Sequence, residues 1–125
     1  MDDFFYRKLN VYQQALLNVK TVYEHIRKFP SYEQYALSDQ LRRSVISVPA
    51  NIAEGMGRNS LKERIHFLEI ANGSLTETMC HLEIAHLLKY ITDKELKESE
   101  EEMINISRLL SGLKKSLEDK LNNNN

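Results

Sequence analysis

Apolar residues recur along this chain at alternating intervals of three and four, the spacing that lines one face of an α-helix. The first stretch runs from about Leu9 to Phe29, with Tyr12, Leu16, Val19, Tyr23 and Ile26 as its stripe. Pro30 ends it, because a proline ring disfavours a helical residue before it. Ser31-Tyr-Glu-Gln34 has the shape of a capping box over one short turn. A second helix is expected over about 39–57, with Ser38 as N-cap and Leu41, Val45, Val48, Ile52 and Met56 on its apolar side. The stripe holds its phase across Pro49, so the helix is expected to continue through it with a kink, and Gly55 and Gly57 mark its end.

Ser60-Leu-Lys-Glu63 reads as a capping box opening a third helix that runs to about Lys89 or Tyr90. Leu61, Ile65, Leu68, Leu75, Met79 and Leu82 form one stripe on it, and Phe67, Ile70, Ile84, Leu88 and Ile91 lie beside that stripe. This apolar surface is wider than one bundle face needs. Thr92-Asp-Lys-Glu95 opens a fourth helix, with Leu96, Met103, Ile106, Leu110, Leu113, Leu117 and Leu121 on one side. Glu98, Glu100, Glu101 and Glu102 read as a solvated face. Short links between long helices favour antiparallel neighbours. The expected fold is therefore all-α, an antiparallel up-down four-helix bundle over residues 1–121, followed by a polar tail at 122–125.

Composition fits this picture. The chain has 125 residues, one domain by size, and only two prolines and four glycines to interrupt helices. No stretch has the length and apolarity of a membrane span or a signal peptide, and the single Cys80 has no internal disulfide partner, so a reducing, cytoplasmic setting is expected. Cys80 falls within a helical pattern and reads as a small core residue. The formal net charge is −1, less basic than a dedicated nucleic-acid binder usually is. Residues 1–66 carry ten Lys and Arg against seven Asp and Glu, whereas residues 67–125 carry seven against eleven.

Catalytic chemistry is not visible. There is no glycine-rich phosphate loop and no Cys/His set at zinc-ligand spacing. Glu63-Arg-Ile-His66 and Glu83-Ile-Ala-His86 match the Glu-x-x-His spacing of di-iron bundles, but both lie on the third helix, too far apart to share one site within a chain. No metal, cofactor or catalytic residue is assigned. The second helix carries a polar line, Ser44, Ser47, Asn51, Glu54 and Arg58, beside its apolar one. It reads either as an ordinary wet face or as a polar network at a helix–helix or subunit contact, with Asn51 and Glu54 placed to satisfy backbone groups freed by Pro49 or to pair with an arginine. Gly73, in the middle of the third helix, reads as a point of close helix approach.

Leu41-Arg-Arg-Ser44, Val48-Pro-Ala-Asn-Ile-Ala-Glu-Gly55, Arg58, Ser60, Phe67-Leu and Ala71-Asn-Gly-Ser-Leu75 resemble the 23S rRNA intervening sequence protein family. Leu9-Asn-Val-Tyr-Gln-Gln-Ala15 and Phe29-Pro30 are similar too, and Ala36 departs from the family's frequent glycine. The resemblance covers residues 5 to 91 closely and the fourth helix by pattern alone. It implies a four-helix bundle that assembles into a ring-like homopentamer, with no enzymatic activity. Two roles compete. In the first, Arg42, Arg43, Arg58, Lys62 and Arg64 form a basic surface that contacts RNA or DNA phosphates. In the second, the wide apolar face of the third helix and the tyrosines of the first 35 residues serve a protein-interaction scaffold.

Overall fold

The computed structural model describes residues 4–123. A short 3₁₀ turn, Phe5–Lys8, precedes helix α1 (Asn10–Ile26), and a second, Ser31–Glu33, precedes α2 (Leu37–Met56). Helices α3 (Leu61–Leu87) and α4 (Asp93–Asn123) follow, and no strand occurs among the described residues. Each helix packs against two neighbours, in the cyclic order α1, α2, α3, α4. Cross-helix pairs fix the directions. Asn18 meets Glu102 between α1 and α4, Ser47 meets Ser74 between α2 and α3, and Ser107 meets Asn72 between α4 and α3. Asn18 and Glu102 are joined by Lys28 with Glu95, so residue numbers rise on α1 as they fall on α4, which makes the two helices antiparallel. The same reasoning orders the other pairs, and the helices run alternately up and down.

The boundaries follow from local chemistry. Thr92 and Glu95 form a reciprocal capping box at α4, with Glu95 N–H donating to Thr92 Oγ1 at 3.1 Å and Thr92 N–H to Glu95 Oε1 at 2.9 Å. Ser60 caps α3 by accepting from Glu63 N–H at 3.3 Å. Helix α3 ends in a Schellman motif: Tyr90 N–H reaches the Ala85 carbonyl and Lys89 N–H the His86 carbonyl, both at 2.9 Å. This motif needs a left-handed residue, and Lys89 supplies it at φ 67°. A Cβ there is strained, so Lys89→Gly is expected to stabilise the fold by about 1 kcal/mol, read by denaturant unfolding.

Four sequence expectations are corrected. Helix α1 ends at Ile26, because Lys28 and Phe29 N–H groups close 3₁₀-type turns onto His25 and Ile26 before Pro30 is reached. Ser38 is not an N-cap but a buried residue in the first turn of α2, and Ser31 caps nothing. The Leu37 N–H is instead met by the Glu33 carboxylate at 3.4 Å. Cys80 is exposed, not part of the core. Helix α4 runs on to Asn123, so the polar tail begins later than 122, and residues 124–125 lie outside the described residues.

The core is continuous from end to end. The expected stripe of α2 is buried throughout, from Leu41 to Met56, and meets Leu68, Ala71, Leu75, Leu82, Met103, Ile106 and Leu110. On α1 the buried line is Val11, Ala15, Asn18, Val22 and His25, one residue out of register with the expected one. Tyr12, Val19, Tyr23 and Ile26 are half-buried against the core, and Leu16 is exposed. Gly55 is buried where α2 and α3 approach closely: a Cβ on it would lie 2.6 Å from Phe67 Cβ.

Candidate functional site

The polar line of α2 faces α3. Thr78 Oγ1 lies 2.9 Å from Ser44 Oγ, and Ser74 donates to Ser47 Oγ at 2.9 Å. Asn51 Nδ2 donates to both the carbonyl and the hydroxyl of Ser47 at 2.8 Å. Ser44 and Thr78 are buried, so the serine half of the line is a hydroxyl ladder within the helix pair, whereas Glu54 at its other end is exposed. Pro49 deprives the Val45 carbonyl of its N–H partner. Asn51 does not serve that carbonyl but turns to Ser47, whereas Glu54 pairs with Arg58 at 2.7 Å, the arginine pairing expected as the alternative.

A second polar seam, between α1 and α4, escaped the sequence reading. Asn18 Nδ2 donates to Glu102 Oε1 at 2.7 Å, and Thr21 donates to Oε2 of the same carboxylate at 3.3 Å. His25 Nε2 lies 3.0 Å from Ser99 Oγ, and Lys28 pairs with Glu95. Glu102 therefore holds α1 to α4 instead of joining the solvated face, where Glu98, Glu100 and Glu101 do lie. Burial, and then the Lys28 ammonium, hold the His25 imidazole below its ordinary value, with the carboxylates of Glu102, Glu24 and Glu98 opposing. A histidine buried in the neutral form takes up its proton more readily when unfolded. Its stabilising contribution is complete above about pH 6.5 and is lost as pH falls below that. Unfolding free energy is expected to drop as pH falls below about 6.5, with a slope of at most about 1.4 kcal/mol per pH unit from this group. Denaturant titrations should show that component missing in His25→Gln.

The five basic candidates do not form one patch. Arg42 and Arg43 lie on the first half of α2, roughly 23 Å along the helix axis from Arg58. Arg42 donates to the Gln34 carbonyl at 2.8 Å, and Arg43 pairs with Asp39 at 3.0 Å. At the other end Arg58 pairs with Glu54 and stacks over the Phe67 ring at 4.9 Å, while Arg64 Nε donates to the Arg58 carbonyl at 2.6 Å and so ties the link between α2 and α3. Lys62 is exposed. Antiparallel packing gathers other cations at this same end: Arg7 and Lys8 before α1, and Lys114, Lys115 and Lys120 on the last turns of α4. Cut at the level of Asn18 and Glu102, the described residues divide into a half with nine Lys and Arg against five Asp and Glu and a half with eight against eleven. Arg7, Lys8, Lys62, Arg64 and Lys120 make no ion pair among the described residues.

No helix of the chain approaches Gly73, where an added Cβ meets nothing within 4 Å, so the expected close packing there is corrected for the single chain. Gly73 instead belongs to an outward line on α3, Ile70, Gly73, Glu77, Cys80, Ile84 and Leu87–Leu88, at intervals of three and four. Leu87 is 78 % exposed, and with Cys80, Ile84, Tyr90 and Leu96 it borders a groove of about 920 Å³. Among the described residues no three His, Cys, Asp or Glu side chains are grouped to hold a metal ion. His86 pairs with Asp93 and His81 with Glu77. No described helix is long and apolar enough to cross a membrane.

The model of the 23S rRNA-intervening sequence protein family matches residues 7–112. The chain belongs to this family. A solved structure of a protein of unknown function from the S23 ribosomal protein family of Bacteroides thetaiotaomicron has the same fold, with a TM-score of 0.76 at 27 % identity. The alignment covers 84 % of this chain and 98 % of that one. No curated protein matches the chain. The 23S rRNA-intervening sequence match extends through the first two-thirds of α4, beyond the close resemblance read from residues 5 to 91. The Asn-Ile-Ala-Glu-Gly run that carried this resemblance has a structural basis here. Ile52 and Gly55 are buried against α3, and Asn51 and Glu54 engage Ser47 and Arg58.

Proposed function

We propose that this family member is a non-catalytic, cytoplasmic accessory protein that assembles with copies of itself into a ring-like homo-oligomer, a homopentamer on the family resemblance, and binds RNA or DNA. The observation that carries the reading is the lengthwise separation of charge. A chain of net charge −1 concentrates at one end of the bundle Arg7, Lys8, Lys62, Arg64 and Lys120, which make no ion pair among the described residues, and assembly would repeat that end in every subunit. Repetition of a basic surface gives phosphate contacts without base specificity. The outward line of α3 supports assembly, because Ile84, Leu87 and Leu88 stand exposed together at its C-terminal end, and clustered apolar side chains of this kind mark contact surfaces.

Binding of a structured RNA is expected at low salt and should weaken as salt is raised. Lys62→Glu combined with Lys120→Glu should weaken it at least tenfold in fluorescence anisotropy, whereas Arg42→Gln with Arg43→Gln should change it little. Absence of binding by the assembled wild type at low salt would refute the nucleic-acid role. A protein-scaffold role is favoured by Tyr32 and Tyr35, which are 75 % and 87 % exposed at the opposite end of the bundle. Stoichiometric recovery of a protein partner without nucleic acid would establish that role instead.

A further inference from the structure

We infer that the basic end takes single-stranded nucleic acid, with Phe5 as a stacking platform for a base and Lys8, Lys62 and Lys120 as phosphate contacts. The inference rests on the nucleic-acid reading above and adds the form of the ligand.

The 3₁₀ turn Phe5–Lys8 is a fixed piece of structure. Tyr6 is half-buried and packs edge-on against Tyr12 with centroids 4.9 Å apart. Leu9 N–H donates to the Tyr6 carbonyl at 3.0 Å, and Gln13 Nε2 donates to the Arg7 carbonyl at 3.0 Å. The turn also packs on α2. With Tyr6 held inward, its neighbours on the turn point away from the core. Phe5 is 40 % exposed, and Arg7 and Lys8 are exposed beside it. A phenyl ring 40 % exposed on an anchored turn, flanked by cations that make no ion pair among the described residues, meets both requirements of sequence-tolerant single-strand binding: a π-face for a base and positive charge for its phosphates. The bases of a duplex are stacked on one another and offer no free face, so this pairing of groups selects unpaired strands.

The start of α3 brings Lys62 to the same end, and the last turns of α4 bring Lys120. Both are exposed and without ion pairs among the described residues. The proposed contacts therefore come from three separate segments of the chain that the bundle places at one end.

The test uses the full chain, a short unstructured oligouridine RNA and an RNA duplex of equal length, both fluorescently labelled. The wild type should bind the oligouridine more tightly than the duplex at low salt. Phe5→Ala should weaken oligouridine binding about tenfold and leave the duplex unaffected, and Phe5→Trp should restore it. Replacing Lys8, Lys62 and Lys120 together by Gln should reduce the slope of log affinity against log salt by about 2. Thermal unfolding of each variant, matched to wild type, separates loss of contact from loss of fold. Equal binding of duplex and single strand with no effect of Phe5→Ala overturns the inference and leaves nucleic-acid binding standing. Binding of neither RNA overturns both.

Discussion

Gly55→Leu is expected to destabilise the chain by about 3 kcal/mol, at the upper end of what overpacking a filled core costs. Gly55 lies in the last turns of α2, and even a methyl group there would sit 2.6 Å from Phe67 Cβ and 3.5 Å from the Arg64 carbonyl. The first of these neighbours is the root of a side chain, which moves only with the α3 backbone. Displacing α3 would disturb Arg64, whose guanidinium bonds the Arg58 carbonyl in the link after α2, and Arg58, which stacks on Phe67. Gly55→Ala should cost less, because the gain of about 1 kcal/mol in helix propensity offsets part of the clash. Urea unfolding of the two variants measures both effects. A Gly55→Leu protein as stable as wild type would show that α2 and α3 can separate here.

Ile84→Glu combined with Leu88→Glu is expected to dissociate the proposed homo-oligomer into folded single chains. Both side chains lie on the outward line of α3, 38 % and 46 % exposed, and neither contributes to the buried core. Removing two apolar anchors from an interface costs about 2 kcal/mol or more each, and burying two carboxylates adds to that, so subunit affinity should fall by at least a hundredfold. Gly73 refines the same argument. Gly73→Ala meets no atom of its own chain and should stabilise each subunit by about 1 kcal/mol through helix propensity. If a second copy packs closely on this line, the same substitution weakens assembly, so the two effects have opposite signs. Light scattering and denaturant unfolding read them separately.

The helix count, the capping boxes at Ser60 and Thr92 and the core stripes of α2 and α4 were legible in the sequence, because each depends on residues close together in the chain. Helix α1 was misregistered because two of its five buried positions, Asn18 and His25, are polar and drop out of an apolar pattern. Their partners, Glu102 and Ser99, lie more than seventy residues away on α4, beyond the reach of local periodicity. Glu102 in turn was hidden inside an acidic run. Schellman termination at Lys89 was missed because its usual glycine is absent. Among candidate functional residues, the division of charge by sequence halves pointed to helix 2, whereas the folded chain divides charge by bundle ends. Arg42 and Arg43 thereby part from Arg58, Lys62 and Arg64, and Lys8 and Lys120 join them.

Native mass spectrometry of the purified protein, mixed with a short RNA at low salt, tests assembly and nucleic-acid binding together. The expected spectrum contains a multiple of the 14.6 kDa chain that carries bound RNA. A stable 14.6 kDa monomer with no RNA attached would contradict the account.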